Sequence, residues 1–234
     1  MANSVTNQNK PSGLTPVKYL NGADWTGQAN LYYIDGATNT DAFNVGDLVS
    51  PTVGLDAFSG LQTIALTKTA SSTQCLGVAI AFGASPSLLL SNRGGPYIDP
   101  TNLQLINVPA TKTKNYFALV VDDPKVVFEI QETGAGTTPA TSLTFASTSK
   151  NASILYAAPA AGVAVSGTTL DNGVSSGHTP QTSATVTNGY FLRILGLAQK
   201  LDPQTVQWNT FGLFAKWYVK LINHAYDSLP SAGF

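Results

Sequence analysis

The residues in this chain with the chemistry for catalysis or metal binding are few and mostly far apart. The densest carboxylate set is Asp122-Asp123 with Glu129 and Glu132 close behind. Paired carboxylates are what acid–base work and glycoside hydrolysis use. Yet Asp-Asp-Pro before Lys125 is also ordinary turn chemistry, with Asp accepting backbone hydrogen bonds and Pro124 fixing φ. Asp35-Gly36 and Asp171-Asn172-Gly173 suggest calcium, but neither continues into the spaced oxygen ligands and late Glu of such a loop. His178 lies among Ser, Gly, Thr and Pro, and His224 follows the last strong apolar stretch. Neither has a His or Cys at metal-ligand spacing, so each reads as a solvated or singly hydrogen-bonded side chain. Cys75, the single cysteine, sits in Gln74-Cys75-Leu76-Gly77-Val78 and reads as a buried thiol. Gly-x-x-x-x-Gly-Lys and Gly-x-Gly-x-x-Gly do not occur; Gly-x-Ser-x-Gly occurs once, as Gly173-Val174-Ser175-Ser176-Gly177, within the Ala/Thr/Ser/Gly-rich stretch that reads as loop. The expectation is a chain with no catalytic residues, no cofactor and no metal.

Composition agrees with that expectation. Only 12 basic and 13 acidic residues occur among 234, while catalysis gathers titratable groups where burial can tune them. A net charge of −1 offers no field to gather a polyanion, and two arginines, Arg93 and Arg193, leave few bidentate forks for phosphate or bases. Nucleic acid is therefore not an expected partner. No run approaches a membrane span. The first ten residues are polar with no apolar h-region, which predicts synthesis in a cytoplasm and no secretory signal.

The elements that would position any site read as strands. Residues 1–15 are polar, contain Pro11 and Gly13, and show no periodic apolar face, which predicts a flexible N-terminal arm. From 16 to 234 one all-β domain is expected, with a loop-rich insertion at about 131–188. Extended, aromatic-rich chain is read at Val17–Leu20 and, after the Asn21-Gly22 turn, at Gln28–Ile34; then come Phe43–Ser50 closed by Pro51, and Leu61–Thr67 paired with Leu76–Phe82. Tyr116–Val121 and Val126–Ile130 follow, then Tyr190–Leu197 with a bulge at Gly196, and Phe214–Asn223. In the last, Lys216, Tyr218 and Lys220 fall on one face and Trp217, Val219 and Leu221 on the other. Weaker strands are expected at Ser142–Phe145, Ile154–Ala157 and Thr182–Val186. The class is an antiparallel β-sandwich or partly closed β-barrel, of jelly-roll or β-tulip-like kind. Tyr19, Trp25, Tyr32, Tyr33, Trp217, Tyr218 and Tyr226 serve either as core or as contact surface, because alternate strand residues face opposite ways.

Several of these stretches carry a resemblance. They are the segment from Pro16 to Ile34, Val45-Gly-Asp-Leu-Val49, Gly77-Val-Ala79, Tyr116 to Pro124 with Phe128-Glu-Ile-Gln-Glu132, Leu195-Gly-Leu197, and Ala215 to Asn223. Together they resemble tailed-bacteriophage capsid decoration, or cement, proteins. The likeness touches most of the chain outside the Ala/Thr/Ser-rich middle, and its motifs are structural. It implies a non-enzymatic virion protein on the outer capsid surface that bridges major capsid protein subunits, and that associates with itself as a dimer or trimer. Contact residues expected on that basis are Lys10, Pro11, Leu14, Tyr19, Trp25, Tyr32, Trp217 and Tyr218. Two other readings compete. A virion-surface carbohydrate-binding or host-adhesion module would use exposed aromatics and Asn/Asp loops. A glycan hydrolase would need Asp122, Asp123, Glu129 and Glu132 brought together.

Overall fold

The computed structural model describes residues 7, 9–57, 59–68, 74–84, 103, 105–132, 142–156, 168–170, 191–202 and 207–227. The strands in chain order are β1 (Thr15–Tyr19), β2 (Asn30–Ile34), β3 (Phe43–Asn44), β4 (Leu48–Leu55), β5 (Gln62–Leu66), β6 (Gly77–Ala84), β7 (Asn107–Val108) and β8 (Tyr116–Val121). They continue as β9 (Val126–Gln131), β10 (Asn151–Ala152), β11 (Ile154–Leu155), β12 (Thr169–Leu170), β13 (Leu192–Leu197), β14 (Leu201–Asp202), β15 (Gln207–Trp208) and β16 (Lys216–Leu221). The fold is all-β, as expected.

Two bodies of sheet share one strand run. The first is a closed barrel in the order β2-β5-β4-β6-β8, antiparallel throughout except where β2 and β5 meet in parallel at Tyr33 and Thr63. Closure removes the free edges that an open sheet exposes. Tyr32, Ile34, Val49, Ile64, Leu76, Ala79, Phe82, Ala118 and Val120 fill the interior, with Phe43 and Val108 brought in by the β3–β7 pair. The second is a five-stranded antiparallel sheet, β1-β9-β16-β13-β10. Its inner face, with Phe128, Ile130, Trp217, Val219, Leu221 and Ile194, packs on Val78, Val121, Leu48 and Cys75 from the barrel side. Strand β8 feeds both cores: Ala118 and Val120 point into the barrel and Val121 points to the sheet. That double burial explains why Tyr116–Val121 is an unbroken apolar run and not an alternating one.

Several expectations change. Pro51 does not close its strand but lies within β4, paired with Ile64. Beyond Val49 the other side of β4 has no register with β6, so the missing N–H breaks no ladder bond there. β5 and β6 do not pair with each other, because β4 runs between them. Ser142–Phe145 forms no strand: Thr144 and Ser147 cap one another around a short 3-10 turn at Phe145–Ser147, and Leu143 and Ser147 turn inward. Ile154–Leu155 does pair, with Thr169–Leu170. The register shift near Gly196 is the expected bulge. Thr182–Val186, His178 and Asp171-Asn172-Gly173 lie outside the described residues.

The N-terminal segment is tied to the body well before residue 15. Leu14 is 1% exposed and belongs to the second core, and its N–H donates to the Gly46 carbonyl at 2.8 Å. Asn7 Nδ2 donates to the Thr210 and Leu213 carbonyls at 2.7 and 3.1 Å. The backbone N–H of Lys10 donates to Gln131 Oε1 at 2.8 Å, and Gln131 Nε2 donates to Asn9 Oδ1. The crossing depends on Gly46, whose φ is +94° and whose missing Cβ leaves room for the Ser12 carbonyl and the Gly13 Cα, the latter 3.1 Å from where a Cβ would stand. Gly46→Ala is expected to cost about 1–3 kcal/mol and to lift residues 12–14 from the body. Limited proteolysis should then cut near Gly13; an unchanged digest and melting temperature would contradict this account.

Candidate docking surface

Strand period 2 sends Val127, Glu129 and Gln131 of β9, and Lys216, Tyr218 and Lys220 of β16, to the face of the five-stranded sheet that points away from the barrel. The antiparallel registers then place distant residues side by side. Arg193 stands opposite Lys220, Lys220 opposite Val127, and Val127 opposite Lys18, which makes one row across four strands. In the next row Tyr218 faces Glu129. Lys18 Nζ lies 5.1 Å from the centre of the Tyr218 ring, a cation–π distance. Val127 is buried between Lys18 and Lys220, consistent with their aliphatic stems covering it while the ammonium groups reach water.

Glu129 gathers two further cations. Lys200 Nζ is 3.2 Å and Lys216 Nζ 3.8 Å from its Oε1. Arg193 Nε donates to Asn151 Oδ1 at 3.2 Å. Asp24 pairs with Lys18 at the end of the row, so among the described residues five of the chain's 12 cations and two of its 13 acids, Glu129 and Asp24, share this face.

Beside it projects a small hairpin. Leu201 of β14 pairs with Trp208 of β15, and both are open to solvent, at 42% and 61%. Phe211, 51% exposed, lays its ring 5.7 Å from that of Trp217. Asn209 roots the hairpin on the sheet. Its Nδ2 donates to the Ala198 and Lys216 carbonyls at 2.8 and 2.7 Å, and its Oδ1 accepts from the Lys216 N–H at 2.9 Å. Lys200 joins hairpin and sheet face directly, since its carbonyl accepts from the Asn209 N–H and its ammonium pairs with Glu129. Asn7 binds the 210–213 turn at the hairpin's base, so the N-terminal segment reaches the same place.

The residues expected to meet a partner separate sharply. Trp217 is 0% exposed and Leu14 nearly so, and both are core; Tyr32 is buried in the barrel wall with only its hydroxyl near the surface. The contact role expected for these three therefore fails: each is held inside its own chain by apolar neighbours. Tyr19 and Trp25 are half-buried, pack on the second core and both bond Gln28, through the Tyr19 hydroxyl at 3.0 Å and Trp25 Nε1 at 3.2 Å. Lys10 is exposed, Pro11 half-buried, and Tyr218 lies on the open face. Trp208, Leu201 and Phe211 were not foreseen. The available signal was a Trp flanked by Gln207 and Asn209 in a connector with no apolar period to bury it.

The carboxylates do not converge. Glu129 lies on the outer face of the sheet, buried beneath Lys200 and Lys216, whereas Glu132 is buried on the opposite side against Trp217, its Oε2 accepting from Trp217 Nε1 at 3.0 Å and from the Leu143 N–H at 3.2 Å. Asp123 holds the turn into β9, accepting from the Lys125 N–H at 2.8 Å. Asp122 accepts from Asn30 Nδ2 and, at 2.6 Å, from the Tyr32 hydroxyl, which lies 3.3 Å from that of Tyr226; burial first, then Asp122, raises the Tyr32 phenol far above its ordinary range. His224 is buried, its Nδ1 accepting from the Tyr226 N–H, and desolvation lowers its pKa. Burial likewise pushes the Cys75 thiol up to about 12. Among the described residues no three His, Cys, Asp or Glu side chains are grouped to hold a metal ion, and no helix is long and apolar enough to cross a membrane.

Neither family models, nor curated proteins, nor solved structures give a match to this chain.

Proposed function

We propose that this chain is a non-enzymatic structural protein of a tailed-phage virion, bound to the outer capsid surface, where it stabilises the shell by bridging major capsid protein subunits. One observation carries the reading: the exposed Trp208–Leu201 pair stands beside the cation-bearing outer face of the five-stranded sheet. Large rigid aromatics rimmed by charged groups are the usual anatomy of a protein contact centre. The sequence resemblance supplies the class of partner. Assembly with itself as a dimer or trimer would multiply modest contacts by effective concentration once several sites engage. The test is cosedimentation with mature shells stripped of accessory proteins, with unexpanded shells as control. Saturable binding to mature shells is expected, weakened at least about 30-fold by Trp208→Ala. Binding to neither shell would overturn the proposal.

A second reading, a virion-surface carbohydrate-binding or host-adhesion module, is favoured by one place on the barrel. There the exposed Tyr226 ring stands beside Gln62, whose Oε1 accepts from its hydroxyl at 3.1 Å, and near Asp122 and Asn30. An aromatic plate rimmed by planar polar groups suits a sugar. Glycan binding lost on Tyr226→Ala, with shell binding absent, would select this reading. Trp217, being core, is not a usable probe for it.

A further inference from the structure

We infer that the row Arg193–Lys220–Lys18, with Lys200 and Lys216 beside it, is a docking face for a carboxylate-rich protein surface, and that these cations orient the protein on its partner; this rests on the shell-binding reading above and names the chemistry of the surface met. The row runs perpendicular to the strands. With neighbouring strands about 4.8 Å apart, Arg193 and Lys18 stand roughly 14 Å from one another, with Lys220 between them. Two of its cations are held by neighbours, Arg193 by Asn151 and Lys18 by the Tyr218 ring, and Lys220 stands between them in the row. Lys200 and Lys216 share Glu129 and Asp24 pairs with Lys18, so among the described residues five cations meet two carboxylates, which leaves the face with a net positive charge in a chain whose total is −1. Such segregation in a nearly neutral chain is the pattern that selects a partner of opposite sign and fixes its register.

A protein is a better fit than a nucleic acid. The described face carries one guanidinium and four point-charge ammonium groups, few of the bidentate forks that phosphate recognition favours. The aromatic hairpin adjoining it supplies the apolar anchor that a protein interface centres on. Carboxylates spaced to match the row would meet it after Trp208 seats, or steer the approach before.

The experiment compares wild type with the triple variant Lys18→Glu, Lys220→Glu, Arg193→Glu in shell cosedimentation at about 50 and 300 mM salt, where screening lengths differ more than twofold. Near-ultraviolet circular dichroism checks folding, and the milder Lys18→Gln, Lys220→Gln, Arg193→Gln set stands in if the charge reversal fails to fold. Wild-type binding should weaken at least tenfold from low to high salt, and the reversal should lose at least tenfold at low salt with a flattened salt response. A variant that binds as wild type at both salts overturns the inference. If wild type binds no shell, the shell reading falls while this inference is still tested on a poly-glutamate resin. Retention of wild type at low salt, lost in the triple variant, supports it; no retention overturns it. Displacement by duplex DNA as effective as that by poly-glutamate also overturns it, because the face would then be a general polyanion site.

Discussion

Gly77→Ala is expected to destabilise the fold severely, by about 3 kcal/mol or more. Gly77 opens β6 and pairs with Val49, and it lies under β8 so closely that an added Cβ would overlap the Val121 carbonyl oxygen. That Cβ would also stand 2.8 Å from Val120 Cγ1 and 2.9 Å from the Val121 carbonyl carbon. The obstacle is backbone, so no rotamer change relieves it. β8 would have to move away, yet its two faces fill both cores, and the closed barrel cannot widen at one seam without breaking its parallel junction at Tyr33 and Thr63. Overpacking commonly costs 1–3 kcal/mol, and a clash with a doubly buried strand belongs at or beyond the upper end, about 3 kcal/mol or more. Chemical denaturation of the soluble fraction measures it. A variant with a midpoint within error of wild type would show that β8 is freer than its burial implies.

Glu132→Gln is expected to stabilise the protein above neutral pH and to remove most of its stability change between pH 4.5 and 7. Burial raises the Glu132 carboxyl from 4.5 to about 7, partly opposed by the Trp217 indole N–H, the Leu143 N–H and Ser142. Between those values the folded protein keeps a proton that the unfolded chain has released. The stabilising contribution of the protonated form is therefore fully present below about pH 4.5 and is lost as pH rises through 7, a change of about 3 kcal/mol from the size of the shift. Glutamine keeps an acceptor for Trp217 Nε1 and Leu143 N–H and cannot ionise. Urea unfolding of both proteins at pH 5, 6, 7 and 8 should give curves that diverge as pH rises, with the variant the more stable at pH 8. Parallel curves would mean that Glu132 is solvated in a way its burial against Trp217 contradicts.

The strands were legible wherever one face is buried and the other is not. In β16 the alternation of Lys216, Tyr218 and Lys220 with Trp217, Val219 and Leu221 is visible in the letters, and the burial follows it residue by residue. The Asp122–Lys125 turn was legible from its residue types, though not that it carries the chain from barrel to sheet. Pro51 misled because whether a missing N–H matters depends on which neighbour lies on that side, and pairing is not written locally. Leu14 misled in another way: one apolar residue in a polar stretch has no period, yet Gly46 leaves a channel that leads it to the core. The docking face was illegible for a related reason. Lys18, Arg193 and Lys220 are scattered along the chain, and only the registers of β1, β9, β16 and β13 make them neighbours.

The order of those strands also sets a timetable for synthesis. The five strands of the barrel are complete at Val121, so they can pair while the chain is still emerging from the ribosome, with Tyr156 and Ala225 added to its core later. The sheet cannot, because β16 is the central strand between β9 and β13 and is the last of the sixteen to be translated. Until Leu221 has cleared the exit tunnel, Phe128, Ile130 and the outward wall of the barrel at Val78 and Val121 lack the cover of Trp217, Val219 and Leu221. Pairings between strands so far apart in sequence form slowly. A nascent chain paused anywhere in its last quarter is thus a paired barrel with an unroofed apolar side, the species a chaperone would hold and the one in which truncations would accumulate as aggregate.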